Sequence, residues 1–189
     1  MDEKRIDKRI QNTNMTLRRS LFALLREKSV DKITPTELCR RAGINRNTFY
    51  AHYNSARELL ETMENELIAQ IVDASGDSLL TGMSLDFFRS VCDTLAQRRE
   101  MSTALLGEYG DEAFLEKLLR LGCGYFTAEW EKQGAKIDPR DASLFFAYIS
   151  QGGASLIRQW VRNGMKEKAD RTAELIDRFS RACMKEITQ

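Results

Sequence analysis

Apolar residues recur three and four positions apart along almost the whole of this chain, with polar residues between them. That spacing places the apolar side chains on one face of a helix, so it predicts amphipathic α-helices. The predicted ranges are about 4–28, 35–42, from 46, 56–75, 84–99, 102–106, 111–133, 139–164 and 169–187. We therefore predict an all-α fold of about nine helices, with a three-helix head at residues 1–55 and a helical body at residues 56–189.

The stretch KITPTELCRRAGINRNTFYAHYNSARELL, residues 32–60, carries the most specific local signals. Thr34 opens a capping box at the start of a helix, and Pro35 fits the first helical position. Gly43 supplies the left-handed residue that ends this helix, and Asn45 caps the next one. Two short helices joined by a tight glycine turn predict a helix-turn-helix, whose second helix enters the DNA major groove.

The second of these helices separates its residues by angle. Phe49 and Tyr53 fall on one side, where they can pack on Ile44 and Leu38. Polar residues face outward, and Asn and Arg suit base edges while Thr, Tyr and His suit phosphate oxygens. The predicted DNA contacts are Thr34, Thr36, Asn45, Arg46, Asn47, Thr48, Tyr50 and His52. A short polar helix on the surface of any all-α protein would share this pattern, so the residues alone leave other functions open.

The run ITPTELCRRAGINRNTFYAHYNSARELL resembles the DNA-binding signature of the TetR family of bacterial transcription regulators. The matching features are the capped helix, the AGI turn, the R-x-T-F-Y core and the H-Y-x-S-x-x-E-L-L entry to the next helix. With the preceding amphipathic helix, the resemblance covers about the first third of the chain. The chain departs from the pattern at Ala56, where family members usually carry a Lys that reaches a phosphate. Arg57 is the nearest substitute, so the resemblance implies a DNA contact there.

Aromatic residues are concentrated in the predicted body, and their helical spacing alone favours a packed core over a pocket. The resemblance favours a pocket, because TetR-like regulators usually hold an inducer inside the helical body. We therefore predict a small, largely apolar effector among Phe87, Val91, Leu105, Phe114, Leu118, Phe126 and Phe145. A repressor released by that effector is the expected function, and an activator of the same family is the alternative.

Two adjacent glycines lie inside a predicted helix, in the stretch SQGGASLIRQW at residues 150–160. Each destabilises a helix by about 1 kcal/mol relative to alanine, which close approach of a second backbone would offset. The resemblance implies a homodimer in which the last two helices form a four-helix bundle. The predicted interface comprises Gly152, Gly153, Leu156, Trp160, Leu175 and Phe179. A dimer predicts a palindromic or near-palindromic operator of double-stranded DNA.

Charge is unevenly distributed along the chain. Residues 1–57 hold 13 Lys and Arg against 6 Asp and Glu, although the whole chain has a net charge of only +1. The basic segment coincides with the predicted helix-turn-helix, as expected for a DNA-binding head. An all-α ligand carrier or adaptor without a DNA role is the alternative, and it would leave this coincidence unexplained.

The remaining composition argues against several other classes of protein. Cys39, Cys92, Cys123 and Cys183 lie far apart and His52 is the only histidine, so we expect no zinc site, no cofactor and no catalytic triad. We expect buried, reduced thiols, with a redox-sensing cysteine left open. No apolar run approaches the ~20 residues of a membrane span, and the charged N-terminus lacks the core of a signal peptide. These features predict a soluble cytoplasmic protein that is not an enzyme and does not bind membranes.

Overall fold

The structure, a computed structural model, describes residues 3–76, 84–111, 114–115, 117–118 and 138–187. Eight α-helices lie within these residues, and no strand occurs among them. They are α1 (Glu3–Leu25), α2 (Pro35–Ala42), α3 (Arg46–Tyr50), α4 (Ala56–Ser75), α5 (Ser84–Gln97), α6 (Arg99–Leu106), α7 (Pro139–Arg162) and α8 (Ala169–Ile187). The all-α fold is confirmed, while most of the helix predicted over 111–133 lies outside the described residues.

The caps predicted for the two short helices are present. The Thr34 hydroxyl accepts a hydrogen bond from the Glu37 amide at 3.2 Å at the start of α2. Gly43 ends that helix in the left-handed conformation, with φ 64° and ψ 30°. The Asn45 side chain accepts from the Asn47 amide at 2.8 Å and starts α3. Local sequence chemistry therefore fixes both helices and the turn between them.

Two helix boundaries differ from the predicted ones by three residues. α1 ends at Leu25, short of residue 28, because the amides of Glu27 and Lys28 turn back to the Leu24 carbonyl at 2.9 and 3.0 Å. α6 begins at Arg99 and so starts earlier than the predicted residue 102. Both differences lie at chain reversals, where a helical pattern continues across a break in the helix.

α4 connects the head to the body. Its start is fixed by Ser55, whose hydroxyl accepts from the Glu58 amide at 3.1 Å, while the Glu58 carboxylate accepts from the Asn54 amide at 2.7 Å. α1 is joined to α4 by the Arg18–Glu66 ion pair, in which Arg18 Nη1 and Glu66 Oε2 lie 2.6 Å apart. The ion pair therefore attaches α4 directly to α1 of the head.

The core of the protein does not stop at the predicted boundary between head and body. One apolar cluster runs from Leu21 of α1 and Phe49 of α3, through Leu60 of α4, to Ile176 of α8. A second, small cluster forms around Phe145 between α7 and α8. Because buried apolar area is the main stabilising term in folding, the shared cluster makes the head and the start of the body stabilise one another. The division at residue 55 stays a prediction.

Candidate DNA-binding surface and helical body

α3 is held in place by aromatic side chains on its inner face. Phe49 is fully buried at 0% exposure, and its ring lies 6.0 Å from that of Tyr53. The Tyr53 hydroxyl also donates to Asn14 of α1 at 3.4 Å. The sequence prediction that Phe49 and Tyr53 pack inward is confirmed. These contacts set the rotation of α3, so they decide which of its residues face solvent.

The opposite face of α3 is polar and accessible. The side chains of Arg46, Asn47 and Thr48 are exposed, and Tyr50 is 53% exposed. Arg46 Nη1 lies 3.5 Å from the Thr36 hydroxyl, which links the start of α3 to the start of α2. This arrangement presents cationic, amide and hydroxyl groups together on one surface, as a base-reading and phosphate-reading helix needs.

Three other residues predicted to contact DNA have more constrained surroundings. The Thr34 hydroxyl and the Asn45 side chain are engaged as helix caps, although both residues are exposed. His52 is only half-buried and lies just beyond the end of α3. Thr34 and Asn45 thus lie at the starts of α2 and α3, and the contact of all three residues with DNA stays a prediction.

Arg57 forms ion pairs with two carboxylates. Arg57 Nη2 lies 2.8 Å from Asp31 Oδ1, and Nη1 lies 2.9 Å from Asp111 Oδ2. Ala56, which stands where relatives usually carry a Lys, is 2% exposed and belongs to the core. In this structure the Arg57 guanidinium is bound by two carboxylates, one in the head and one in the body, and its predicted phosphate contact stays a prediction. Sequence alone did not show these ion pairs because Asp111 lies far along the chain.

The residues predicted to line one effector pocket do not lie together. Phe87, Val91, Leu105, Phe114 and Leu118 are buried in the main apolar cluster. Phe145 belongs instead to the second cluster, with Ile149 and Met184. Phe126 lies outside the described residues. The seven predicted residues therefore do not form one set in this structure, and an effector site among the five of the main cluster stays a prediction, because helical spacing gives a buried face but not the cluster that it joins.

The residues predicted to form the dimer interface differ in their exposure within the protomer. Trp160 is 4% exposed in the main cluster, and its Nε1–H donates to the Glu167 carbonyl at 2.9 Å. The prediction that Trp160 lies at an interface is corrected, since its ring and its polar hydrogen are satisfied within the protomer. Gly153 is also buried, whereas Gly152 and Phe179 are exposed. Leu156 and Leu175 are half-buried.

A groove of about 570 Å³ runs between α7 and α8. The residues lining it include Tyr148, Gly152, Gly153, Leu156, Phe179 and Cys183. Leu144 and Tyr148, each 69% exposed, extend the apolar surface along α7 and were not predicted from sequence. The sequence feature that could have predicted this surface is the four-residue spacing of Leu144, Tyr148 and Gly152, which places all three on one face of the helix.

The cysteines of the described region form no disulfide with one another, and two of them are buried. Burial raises the pKa of the Cys39 thiol, and it raises the pKa of the Cys92 thiol to about 12. Cys183 is half-buried at the α7–α8 groove. Cys123 lies outside the described residues. The predicted burial of the thiols is confirmed for Cys39 and Cys92, where burial disfavours the thiolate, the reactive form.

Comparison with known proteins identifies the family. Residues 83–182, more than half of the chain, match the family model TetR_C_8, described as a transcriptional regulator C-terminal region. The chain belongs to the TetR family of transcriptional regulators. An uncharacterized HTH-type transcriptional regulator of Bacillus subtilis (strain 168), YxbF, is 39% identical over 72 residues. That match covers 38% of this chain and 19% of YxbF, so the chain spans about a fifth of the relative's length.

Solved structures of several transcriptional regulators share the fold. A TetR transcriptional regulator from Streptococcus agalactiae 2603V has a TM-score of 0.65 at 19% identity, with 97% of each chain covered. The dihydroxyacetone kinase operon activator DhaS has a TM-score of 0.59 at 14% identity, covering 94% of this chain and 98% of its own. NalD of Pseudomonas aeruginosa, a repressor of a multidrug efflux pump, has a TM-score of 0.57 at 19% identity, covering 92% and 97%. At these identities the likeness shows the fold alone.

Within the described residues, no helix is long and apolar enough to cross a membrane.

Proposed function

We propose that this TetR-family protein is a homodimeric repressor that binds a near-palindromic DNA operator and releases it when a small apolar molecule enters the body. The observation that carries the proposal is α3 itself. Its inner face is anchored by fully buried Phe49, while Arg46, Asn47 and Thr48 stand exposed on the other face. A helix held rigidly in this way can present the same groups to successive base pairs.

The residues of the exposed surface have distinct proposed roles. Asn47 pairs with adenine and Arg46 with guanine, since their side chains offer two hydrogen bonds in one plane. Tyr50, Thr48 and His52 hold phosphate oxygens and set the register of α3 on the duplex. Thr34, Thr36 and Asn45 border this surface at the starts of α2 and α3.

The dimer is supported by the α7–α8 groove. Leu144 and Tyr148 leave apolar surface in water on α7, and Phe179 does so on α8 at 48% exposure. Contiguous apolar surface of this kind marks an interface in many proteins. A Cβ added at Gly152 would meet no atom within 4 Å, so nothing inside the protomer accounts for a glycine there. A second copy packed on this face would account for it and would set two α3 helices about 34–36 Å apart.

The direction of regulation has two candidates. NalD is described as a repressor and DhaS as an activator, and both share this fold. The repressor is our first proposal, because an effector that favours heads wrongly spaced for DNA releases the operator directly. A coupling of about 1–3 kcal/mol between the two sites would lower operator affinity about 5- to 150-fold.

Selection of binding sites from random double-stranded DNA tests the proposal. The selected duplex should be near-palindromic and should bind tightly at about 150 mM salt, where phosphate contacts alone are weak. A scrambled duplex of the same length and composition is the control. Equal affinity for both duplexes would favour the alternative of an all-α ligand carrier or adaptor. Transcription from a promoter that contains the selected site then separates repressor from activator by its sign.

A further inference from the structure

Glu64 is a buried acid in the middle of an apolar surface. It lies on α4 between Leu60, Met63 and Leu67, which are all in the main cluster, and it is 5% exposed. Its Oε1 atom is buried and has no hydrogen-bond partner among the described residues. Buried polar groups in folded proteins nearly always have a partner, so this carboxylate needs an explanation.

The neighbouring cations are engaged elsewhere. Arg57, one of the cations whose charge acts on Glu64, is held by Asp31 and Asp111. Lys117 Nζ donates to the side chain of Asn65. Burial, and next the charge of Asp111, raise the pKa of Glu64 to about 7, while Lys117 acts in the opposite direction. The acid is therefore kept in the core without the ion pair that would stabilise it.

The surroundings of Glu64 connect it to the predicted effector residues of the main cluster. The Asp111 amide donates to the Leu105 carbonyl at 3.0 Å, which brings Asp111 back to the end of α6. Gly110 permits this turn, since a Cβ there would lie 2.0 Å from the same carbonyl. Phe114 and Leu118 follow Asp111 at helical spacing and are fully buried. Glu64 interacts electrostatically with Asp111, and Asp111 contacts Leu105, one of the residues that we propose the effector would touch.

We propose that Glu64 is the polar recognition group of the effector site and that the effector is an apolar molecule carrying a cationic nitrogen. Such a nitrogen supplies both the hydrogen bond that Oε1 lacks and the compensating charge. A divalent metal ion fits less well, because it requires several oxygen ligands. This inference rests on the proposed effector-sensing function and adds the chemical class of the ligand.

A matched pair of probes tests the inference by calorimetry on the full-length protein. 4-Phenylbutylamine is cationic at about pH 8, and 4-phenyl-1-butanol has the same apolar part without the charge. The wild type should bind the amine about tenfold more tightly than the alcohol, as expected for a hydrogen bond to a charged group. Glu64→Gln should remove this preference. Glu61→Gln, an exposed acid on the same helix, should retain it.

The outcomes separate this inference from the proposed function. Equal affinity for the two probes, a preference that survives in Glu64→Gln, or no binding of the amine at millimolar concentration overturns the inference, whereas operator binding can stand. If the amine binds through Glu64 but leaves operator affinity unchanged, the site stands and effector-controlled release fails. Glu64→Gln and Glu64→Met should keep or raise the melting temperature. A large decrease in both variants would show a structural acid and overturn the inference.

Discussion

Arg57 Nη1 donates to Asp111 Oδ2 at 2.9 Å. The same guanidinium donates through Nη2 to Asp31 Oδ1 at 2.8 Å. One side chain at the first turn of α4 therefore joins the 3-10 turn Val30–Lys32 in the head to the loop after α6 in the body. In the family signature a cation near this position meets DNA, whereas in this structure it connects the two parts of the protein.

Arg57→Ala is expected to leave the salt dependence of operator binding unchanged, because both carboxylates hold the guanidinium away from phosphates. The measurement is the slope of log affinity against log salt concentration. Replacing a cation that contacts a phosphate would instead reduce the slope by about one. Such a reduction in Arg57→Ala would show that Arg57 leaves Asp31 and Asp111 to contact a phosphate.

Asn47→Ala tests direct base reading by α3. Loss of a bidentate contact to adenine should weaken binding to the selected operator by about 1–3 kcal/mol and relax the preference at one base position. Anisotropy titrations with operators substituted at single positions measure both effects. Asn65→Ala, on the exposed surface of α4, should change neither. A uniform loss of affinity on all DNA would assign Asn47 to the phosphate backbone instead.

Phe179→Asp should convert the dimer to a monomer, since it places a charge on the apolar α7–α8 groove. The side chain is already half in water, so the protomer should stay folded. Losing the second α3 should weaken operator binding about a hundredfold or more. Sedimentation measures the oligomeric state. Glu174→Arg changes a charge on the opposite face of α8 and should leave the dimer intact.

Gly152→Leu tests the same face without adding a charge. The space around Gly152 is open within the protomer, so the variant should fold normally. The leucine side chain should obstruct only the approach of a partner. We expect monomers with a circular dichroism spectrum like that of the wild type. Gly153→Leu is a poorer test because Gly153 is buried. An unchanged dimer in Gly152→Leu would move the interface away from this part of α7.

Glu64 should make stability depend on pH in one direction. Its pKa is about 7 when folded and near 4.5 when unfolded, so its favourable contribution is complete below about pH 4.5 and is lost as pH rises to about 7. The free energy of unfolding should fall by up to about 1.4 kcal/mol per pH unit from this group. In urea unfolding, the free energy of unfolding of Glu64→Gln should increase relative to that of the wild type as the pH rises to about 7. Above that pH the difference should stay constant.

The other charges near Glu64 are those of Asp111, Lys117, Glu61 and Arg57. Glu174→Gln, the control, should keep the wild-type pH dependence because Glu174 is exposed on α8 and is not among these charges. A wild-type protein whose stability rises between about pH 5 and 7 relative to Glu64→Gln would contradict the raised pKa.

The cysteines should differ in reactivity in the native protein. Burial disfavours the thiolates of Cys39 and Cys92, so iodoacetamide should label them only after denaturation. Cys183 lies in the α7–α8 groove, so the dimer should slow its labelling. Peptide mass spectrometry measures the rates, and the Phe179→Asp monomer should label faster at Cys183. Equal rates in the two proteins would contradict the proposed interface.

The sequence by itself determined the local structure of the head. Thr34, Gly43 and Asn45 fix helix starts and ends through contacts a few residues apart. Phe49 of α3 and Tyr53, just beyond the end of α3, could be assigned to one inward side because helical periodicity alone orders them. The same local signature indicated the family before any tertiary contact was known.

Only the tertiary structure decided which distant residues meet. It tied Arg57 to Asp111, placed Trp160 in the core and separated Phe145 from the other predicted effector residues. It also showed that Glu64, which interrupts an apolar face in the sequence, is buried without a partner for Oε1 among the described residues. Periodicity shows that a face is buried, but the partner of that face depends on how helices far apart in the chain pack together.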